Sequence, residues 1–350
     1  MSVAQPADVK RDVVDFAVVG EWMEERGLPG GPFEDVAALG GGTQNIMLKF
    51  RRGGREYVLR RGPEHLRSKS NEVIRREARL LAALNGTDVR APRVIAANPD
   101  ETLIGAVFYL MEPITGFNPQ TELPEPHASD PELRRGMGLS AVEAIARLGA
   151  LDYRELGLED YGRPDGFLER QVPRWLGELE SYTQNEGYPG PRIPGVEAVG
   201  DWLERNRPAE WTPGILHGDC HLANIMFSYD GPEVAALVDW EMSTIGDPLL
   251  DLGWQLATRP EPGTTGAALV GLLGAAGGLP SAAEMVEHYG RFSSRDLRAV
   301  DWYTVLACFK LGIVLEGTHA RAFAGKAATQ VGDFLHAITL ELFERAQRLM

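Results

Sequence analysis

The sequence has 350 residues, 44% of them hydrophobic, enough to bury a large core and to suggest two lobes. A formal net charge of −15 excludes sequence-independent nucleic-acid binding, because no Lys/Arg excess is left to neutralise phosphates. Cys220 and Cys308 are too few for a disulfide framework, the N-terminal MSVAQPADVKRDVVDF lacks a signal-peptide pattern, and residues 266–279 are too short and Gly-rich a run to cross a bilayer. A cytoplasmic chain with no nucleic-acid or membrane partner is expected.

Residues 1–30 read as an arm and an amphipathic helix over 13–25, closed by Gly27 and Pro29. From Pro32 the period becomes strand-like, over 33–39, 45–50 and 56–61, with Gly-rich turns between. The turn Gly40-Gly41-Gly42-Thr43-Gln44-Asn45 has a side-chain-free stretch whose backbone N–H groups can approach an anion, although the same residues also suit an ordinary hairpin turn. Along the third strand Val58 and Arg60 share one face and Tyr57 and Leu59 the other.

A helix over 71–84 carries Val73, Leu80, Leu81 and Leu84 as an apolar stripe, and Glu77 falls on it. A carboxylate facing a core needs a partner; a partly exposed Glu77 beside Arg76 is the plainer alternative. Strands over 94–97 and 106–111 follow, then a Pro/Gly connector, Glu112-Pro113-Ile114-Thr115-Gly116. The expected organisation is an arm and helix (1–30), a sheet lobe with one helix (31–112), a connector (113–116) and a helical lobe (117–350).

In the helical part, 131–148, 167–182 and 197–206 read as helices. Asp247 caps and Pro248 starts a helix reaching about 258, and Asp251 in its first turn could brace a neighbouring loop. Residues 259–280 are low in complexity, and helices over 282–289, 296–321 and 329–348 end the chain. Tyr303, Leu306 and Lys310 share a helix face, whose plain role is core packing under a snorkelling lysine.

The chemistry concentrates in 215–240, ILHGDCHLANIMFSYDGPEVAALVDW. Tyr229-Asp230-Gly231-Pro232 is a turn between two apolar runs, so a β-hairpin is expected. Folding it back brings Asn224 near Asp239, with Asp219 just upstream on the same rim. Two carboxylates and an amide oxygen are hard ligands that suit Mg²⁺. His217 and His221 match H-x-x-x-H, but Gly218 and the absence of a helical pattern argue against a shared helical face for zinc. Cys220 has no base arranged beside it.

His217-Gly218-Asp219-Cys220-His221-Leu222-Ala223-Asn224, followed by Val238-Asp239-Trp240-Glu241, resembles the catalytic segment of the aminoglycoside phosphotransferase and choline kinase branch of the kinase superfamily. VDWE-x-x-T-I-G-DPLLDLGW and Phe309-Lys310-Leu311-Gly312 are similar, more narrowly, to phosphotransferases related to the kinase domain fused to some acyl-CoA dehydrogenases. The resemblance runs from about residue 30 to the end.

It implies an α+β, protein-kinase-like bilobal fold, with an antiparallel β-sheet N-lobe and a mainly helical C-lobe. The implied activity is ATP- and Mg²⁺-dependent transfer of the γ-phosphate to a hydroxyl of a small molecule. In that scheme Asp219 takes the acceptor's proton and Asn224 and Asp239 hold Mg²⁺. Gly41, Gly42, Thr43, Asn45, Val58 and Arg60 address the nucleotide, Glu77 pairs with Arg60, and the backbone at Met111 and Glu112 forms a hinge that meets the base. The chain departs from the family at Arg60, where lysine is usual, which leaves open whether Arg60 or Arg61 is the working cation. Pro113 has no N–H, so GTP is not excluded as donor. Glu241 and Glu316 suit a polycationic acceptor such as an aminoglycoside; Lys310 and Arg321 suit an anionic one such as a hydroxyacyl-CoA, with Tyr303 beside Lys310. A monomer or homodimer is expected. The competing class is a nucleotide-binding pseudokinase, against which the joint presence of Asp219, Asn224 and Asp239 speaks.

Overall fold

Alternating side chains between residues 34 and 61 give strands β1 (Glu34–Ala38), β2 (Ile46–Arg52) and β3 (Arg55–Arg61) in a computed structural model that describes residues 13–40, 45–260, 265 and 270–350. Gly53 and Gly54, with φ of 55° and 77°, supply the two left-handed positions of a two-residue hairpin loop, so β2 and β3 pair without a register shift. With β4 (Val94–Asn98) and β5 (Phe108–Met111) they form one antiparallel sheet in the order β1-β2-β3-β5-β4.

The period of two sorts this sheet's faces. Tyr57 and Leu59 join Leu48, Phe50, Phe108 and Leu110 in a core with Val14, Val19, Trp22 and Met23. Val19, Trp22 and Met23 lie on helix α1 (Phe16–Glu25) and Val14 just before it, and the helix N-terminus is capped by the Asp15 carboxylate. Arg52 ties the helix down through the Gly20 carbonyl (2.9 Å) and Glu24 (2.6 Å). The N-terminal helix therefore packs into the sheet's own core. Helix α2 (Ser70–Leu84) buries Ile74, Glu77, Ala78, Leu80, Leu81 and Leu84; Ile74, rather than Val73, fills the first position of its apolar stripe.

Contacts divide the chain into two compact units, Met1–Thr115 and Gly116–Met350, the boundary falling inside the Pro/Gly connector. The second unit is mainly helical: α3 (Pro131–Ala150), α4 (Gln171–Ser181), α5 (Val196–Arg205), α6 (Leu249–Thr258), α7 (Gly271–Ala276), α8 (Ala282–Gly290), α9 (Val300–Phe323) and α10 (Thr329–Leu349). α7 forms within the low-complexity stretch. α9 is buried from Trp302 to Ile313 and packs on α6, α4, α5 and α10. Glycines allow the closest approaches: a Cβ at Gly253 would run into the Tyr303 carbonyl, and one at Gly312 would come within 2.7 Å of the Phe343 ring. Each fully buried Leu or Phe along α9 contributes roughly 1.5–3 kcal/mol.

Two small sheets sit among these helices. β6 (Gly214–Leu216) pairs with β9 (Thr244–Gly246), and β7 (Ile225–Phe227) with β8 (Val234–Leu237). The second is the expected hairpin, closed by the bond from the Ser228 N–H to the Glu233 carbonyl at 2.9 Å.

Candidate active site

Residues 217–224 leave β6, turn and enter β7, and side chains distant in sequence hold their backbone. Asp251, in the first turn of α6 and 1% exposed, accepts from the N–H of His217 at 2.6 Å and of Gly218 at 2.8 Å. Lys310 Nζ, from α9, donates to the Gly218 carbonyl at 2.7 Å and lies over the Trp254 ring, 4.4 Å from its centroid. Gln255 Nε2 donates to the Cys220 carbonyl (2.6 Å) and Asn118 Nδ2 to the Ala223 carbonyl (2.7 Å). The His217 ring donates from Nε2 to the Val238 carbonyl at 2.9 Å and packs 4.7 Å from Trp240. A buried loop has no water to satisfy its backbone, so these partners fix its path.

Within that frame the hairpin register gathers the oxygen ligands. Ile225 faces Leu237, and the Val238 N–H donates to the Asn224 carbonyl at 2.9 Å, so Asn224 and Asp239 lie at the same end of the pair. Asn224 Nδ2 donates to the Asp219 carbonyl (2.9 Å) and to Asp219 Oδ2 (3.1 Å), leaving its amide oxygen for a cation. Asp239 is left-handed, with φ 66° and ψ 67°, a conformation that costs a non-glycine residue about 1–3 kcal/mol. The following residues hold it: Trp240 Nε1 donates to the Leu237 carbonyl (2.8 Å), and Ser243 Oγ donates to the Trp240 carbonyl (2.5 Å). Asp219, Asn224 and Asp239 are all half-buried, open enough for a ligand to reach. Hard oxygen donors from a carboxylate and an amide on a fixed rim fit Mg²⁺.

Electrostatics around the loop follow from burial. Burial pushes the Asp251 carboxyl up, opposed by His217, its two backbone bonds and Lys310. Burial brings the Lys310 ammonium down to about 8, with Asp219 and Asp251 acting against the shift. It also lowers His221 and raises the Cys220 thiol, so neither is a ready cation or nucleophile at neutral pH. His217 and His221 occupy a loop and not one helical face.

In the first unit, Arg60 Nε donates to Glu77 Oε2 at 2.9 Å, with side chains 9% and 2% exposed. This is a strand-cation to helix-acid pair, made by Arg60 and not by Arg61. Arg61, on the opposite face, donates to the carbonyls of Val13 (2.7 Å) and Gly62 (3.2 Å). Val58 is buried beside Met111 in the register of β3 and β5. The Glu112 N–H is committed to the Arg93 carbonyl at 2.9 Å and its carboxylate to Arg55, also at 2.9 Å. Asn45 is half-buried at the start of β2, whereas Gly41, Gly42 and Thr43 lie outside the described residues.

The side chains expected at an acceptor are placed differently from one another. Glu241 is exposed next to Asp239. Tyr303, 1% exposed, donates its hydroxyl to Asp247 Oδ2, and Lys310 donates to the Gly218 carbonyl, so both are hydrogen-bonded inside the fold. Asp247 does more than cap α6: besides the Leu249 N–H (3.1 Å) and Tyr303, it has Arg295 at 3.8 Å. Sequence reasoning missed Asn118 and Gln255, for which no motif exists, and read Lys310 as a surface-reaching side chain because its neighbours on α9 gave no sign of a partner.

The model of the phosphotransferase enzyme family matches residues 35–293, about three-quarters of the chain, including the whole of this loop. The chain belongs to the phosphotransferase enzyme family. It is 30% identical over 338 residues to acyl-CoA dehydrogenase family member 11 of Gallus gallus, a match that covers 93% of this chain and 42% of that protein. The phosphotransferase chain thus spans less than half the length of that curated relative. Among solved structures it is similar to a protein of Ralstonia eutropha JMP134 provisionally assigned as an aminoglycoside phosphotransferase, with a TM-score of 0.79 and 29% identity over 95% of this chain and 98% of that one. A GDP and kanamycin complex of an aminoglycoside phosphotransferase shares the fold at a TM-score of 0.59 and 16% identity, over 94% and 98% of the two chains. The α+β, kinase-like fold is thereby shown, with its antiparallel N-terminal sheet and helical C-terminal part. No helix among the described residues is long and apolar enough to cross a membrane.

Proposed function

We propose that this phosphotransferase moves the γ-phosphoryl group of ATP, or alternatively GTP, to a hydroxyl of a small molecule. The observation that carries the reading is the rim of Asp219, Asn224 and Asp239, on a loop whose backbone is held from α6 and α9. Phosphoryl transfer needs little covalent help from a protein; it needs groups fixed in position and charges to match those of the transferring phosphate. Asp219, half-buried and oriented by the Asn224 amide at 3.1 Å, orients the acceptor hydroxyl and takes its proton. Asn224 and Asp239 would hold Mg²⁺, which when bound neutralises phosphate charge. Arg60, aligned by Glu77, presents a guanidinium fork to phosphate oxygens where a lysine would offer a point charge.

A coupled ADP-release screen tests this, with hydroxyacyl-CoAs first because of the similarity to acyl-CoA dehydrogenase family member 11, then aminoglycosides, amino alcohols and sugars. Mg²⁺-dependent turnover is expected with at least one acceptor class. Asp219→Asn should lower kcat by about 10²- to 10⁴-fold while Mg·ATP still raises the unfolding temperature. Undiminished turnover in that variant would remove Asp219 from its role. Arg60 in the usual lysine's place keeps a pseudokinase as the second reading; its signature is stabilisation by Mg·ATP with no turnover across the panel.

A further inference from the structure

The α9–α10 helical hairpin carries a second cluster of ligand-type side chains that phosphoryl transfer does not use. Glu316 and His319 lie one turn apart on α9, and Asp333 and His336 one turn apart on α10. Glu316, His319 and His336 bring a carboxylate oxygen and two ring nitrogens within 4.8 Å of one another. Glu316 is fully buried, its Oε2 bonded to His336 Nδ1 at 2.6 Å and its Oε1 accepting from the Tyr188 hydroxyl at 2.6 Å. His319 Nδ1 is buried with no hydrogen-bond partner and lies 3.6 Å from Asp333 Oδ1. The two imidazoles stack face to face at 4.4 Å.

His319 Nδ1 faces the Asp333 carboxylate without a hydrogen bond between them, and a cation held there would satisfy both. We propose that Glu316, His319 and His336 bind one borderline divalent transition ion of the Zn²⁺ type, with Asp333 closing the fourth position.

The donor set decides the ion class: two imidazoles and carboxylate oxygens suit zinc, whereas Mg²⁺ and Ca²⁺ take oxygen ligands. Tetrahedral zinc, with bonds of about 2.0–2.2 Å, places its ligand atoms roughly 3.3–3.5 Å apart. The His319–Asp333 separation of 3.6 Å is already close to that, and the exposed Asp333 side chain, which lies outside the 4.8 Å group of the other three, would swing in to close the fourth position. The 2.6 Å His336–Glu316 contact would have to open by somewhat less than 1 Å as the ion replaces the bridging proton, and the two stacked rings would have to turn so that their in-plane lone pairs converge on the ion. Tyr188, on the other oxygen of Glu316, is the outer hydrogen bond that orients a ligating carboxylate. Entry is from solvent past Asp333, whose side chain is 66% exposed. Bound there, the ion would clip α10 and the segment around Tyr188 to α9.

The test uses the full chain, stripped with a chelator and titrated with Zn²⁺ by calorimetry, and with Co²⁺ read by visible absorption. The expected result is one Zn²⁺ per chain, a higher unfolding temperature, and the intense d–d bands of tetrahedral Co²⁺. Binding should persist in Asp239→Asn, which separates it from the phosphotransfer site, and disappear in His319→Ala. Loss of even an outer partner of a metal site weakens binding about 10- to 100-fold, so the surface change Asp333→Ala should cost at least that much and keep the test open should His319→Ala not fold. Absence of a 1:1 complex, or an affinity unchanged in both His319→Ala and Asp333→Ala, overturns the proposal.

Discussion

Replacing Asp251 by asparagine keeps the side chain's shape and exposes the energetics of the loop brace. The carboxylate accepts from two backbone N–H groups, at 2.6 and 2.8 Å, and asparagine has one oxygen, so one N–H would face an NH₂ group. A hydrogen bond to a charged acceptor is worth about 1.5–3 kcal/mol and an unsatisfied buried donor costs about 1–3 kcal/mol, so the losses sum to roughly 2.5–6 kcal/mol. Relief from burying a carboxylate, which already raises its pKa, offsets part and leaves about 2–4 kcal/mol. Lys310 loses an attractive charge as well, so its ammonium should titrate below the wild-type value of about 8. The assay is amide hydrogen exchange at His217 and Gly218, which should accelerate about 30- to 1000-fold as the opening free energy falls. The urea midpoint should fall in parallel, and kcat should drop because Asp219 shares the loosened backbone. Exchange at those two amides within about threefold of wild type, with an unmoved midpoint, would refute the reasoning.

Three further outcomes follow from the same structure. Glu77→Ala leaves the buried Arg60 guanidinium without its carboxylate and should cost about 3–5 kcal/mol in denaturant unfolding, with a raised KM for nucleotide; unchanged stability would mean that Arg60 finds another partner. Gly218→Ala puts a side chain at φ 84° and drives its Cβ into the Met242 carbonyl, so turnover should fall sharply and the loss in stability should exceed the roughly 1–2 kcal/mol of a left-handed residue alone. Lys310 titrates near 8 when folded, below its ordinary value of 10.5, so below about pH 8 its charge opposes folding in full and that opposition is relieved as pH rises toward the unfolded value. Wild type should therefore gain about 2 kcal/mol relative to Lys310→Met between about pH 7.5 and 10, read as the difference between urea curves, and parallel pH profiles would refute it.

The hairpin register, the alternation that puts Arg60 on one face of β3 and Arg61 on the other, and the helix boundaries around α2, α3, α6, α8 and α10 were all readable in the sequence. Each depends on interactions within a few residues: the turn at Asp230-Gly231, the period of two, and the spacing of apolar side chains. The three-residue strands β6 and β9 were not readable, because neither is long enough to show a period and their pairing joins residues 30 apart.

What the local chain determined was where Asp219, Asn224 and Asp239 come together, since a tight turn between two short strands leaves little freedom in register. What only the tertiary structure decided was what holds them: Asp251 reaches back 34 residues to His217, Lys310 reaches 92 to Gly218, and Asn118 reaches 105 forward to Ala223. The physical reason lies in the buried backbone. Its polar groups must find partners wherever packing supplies them, and nothing in the pattern around Lys310 or Tyr303 separates a side chain reaching for solvent from one committed to a carbonyl or a carboxylate inside the core.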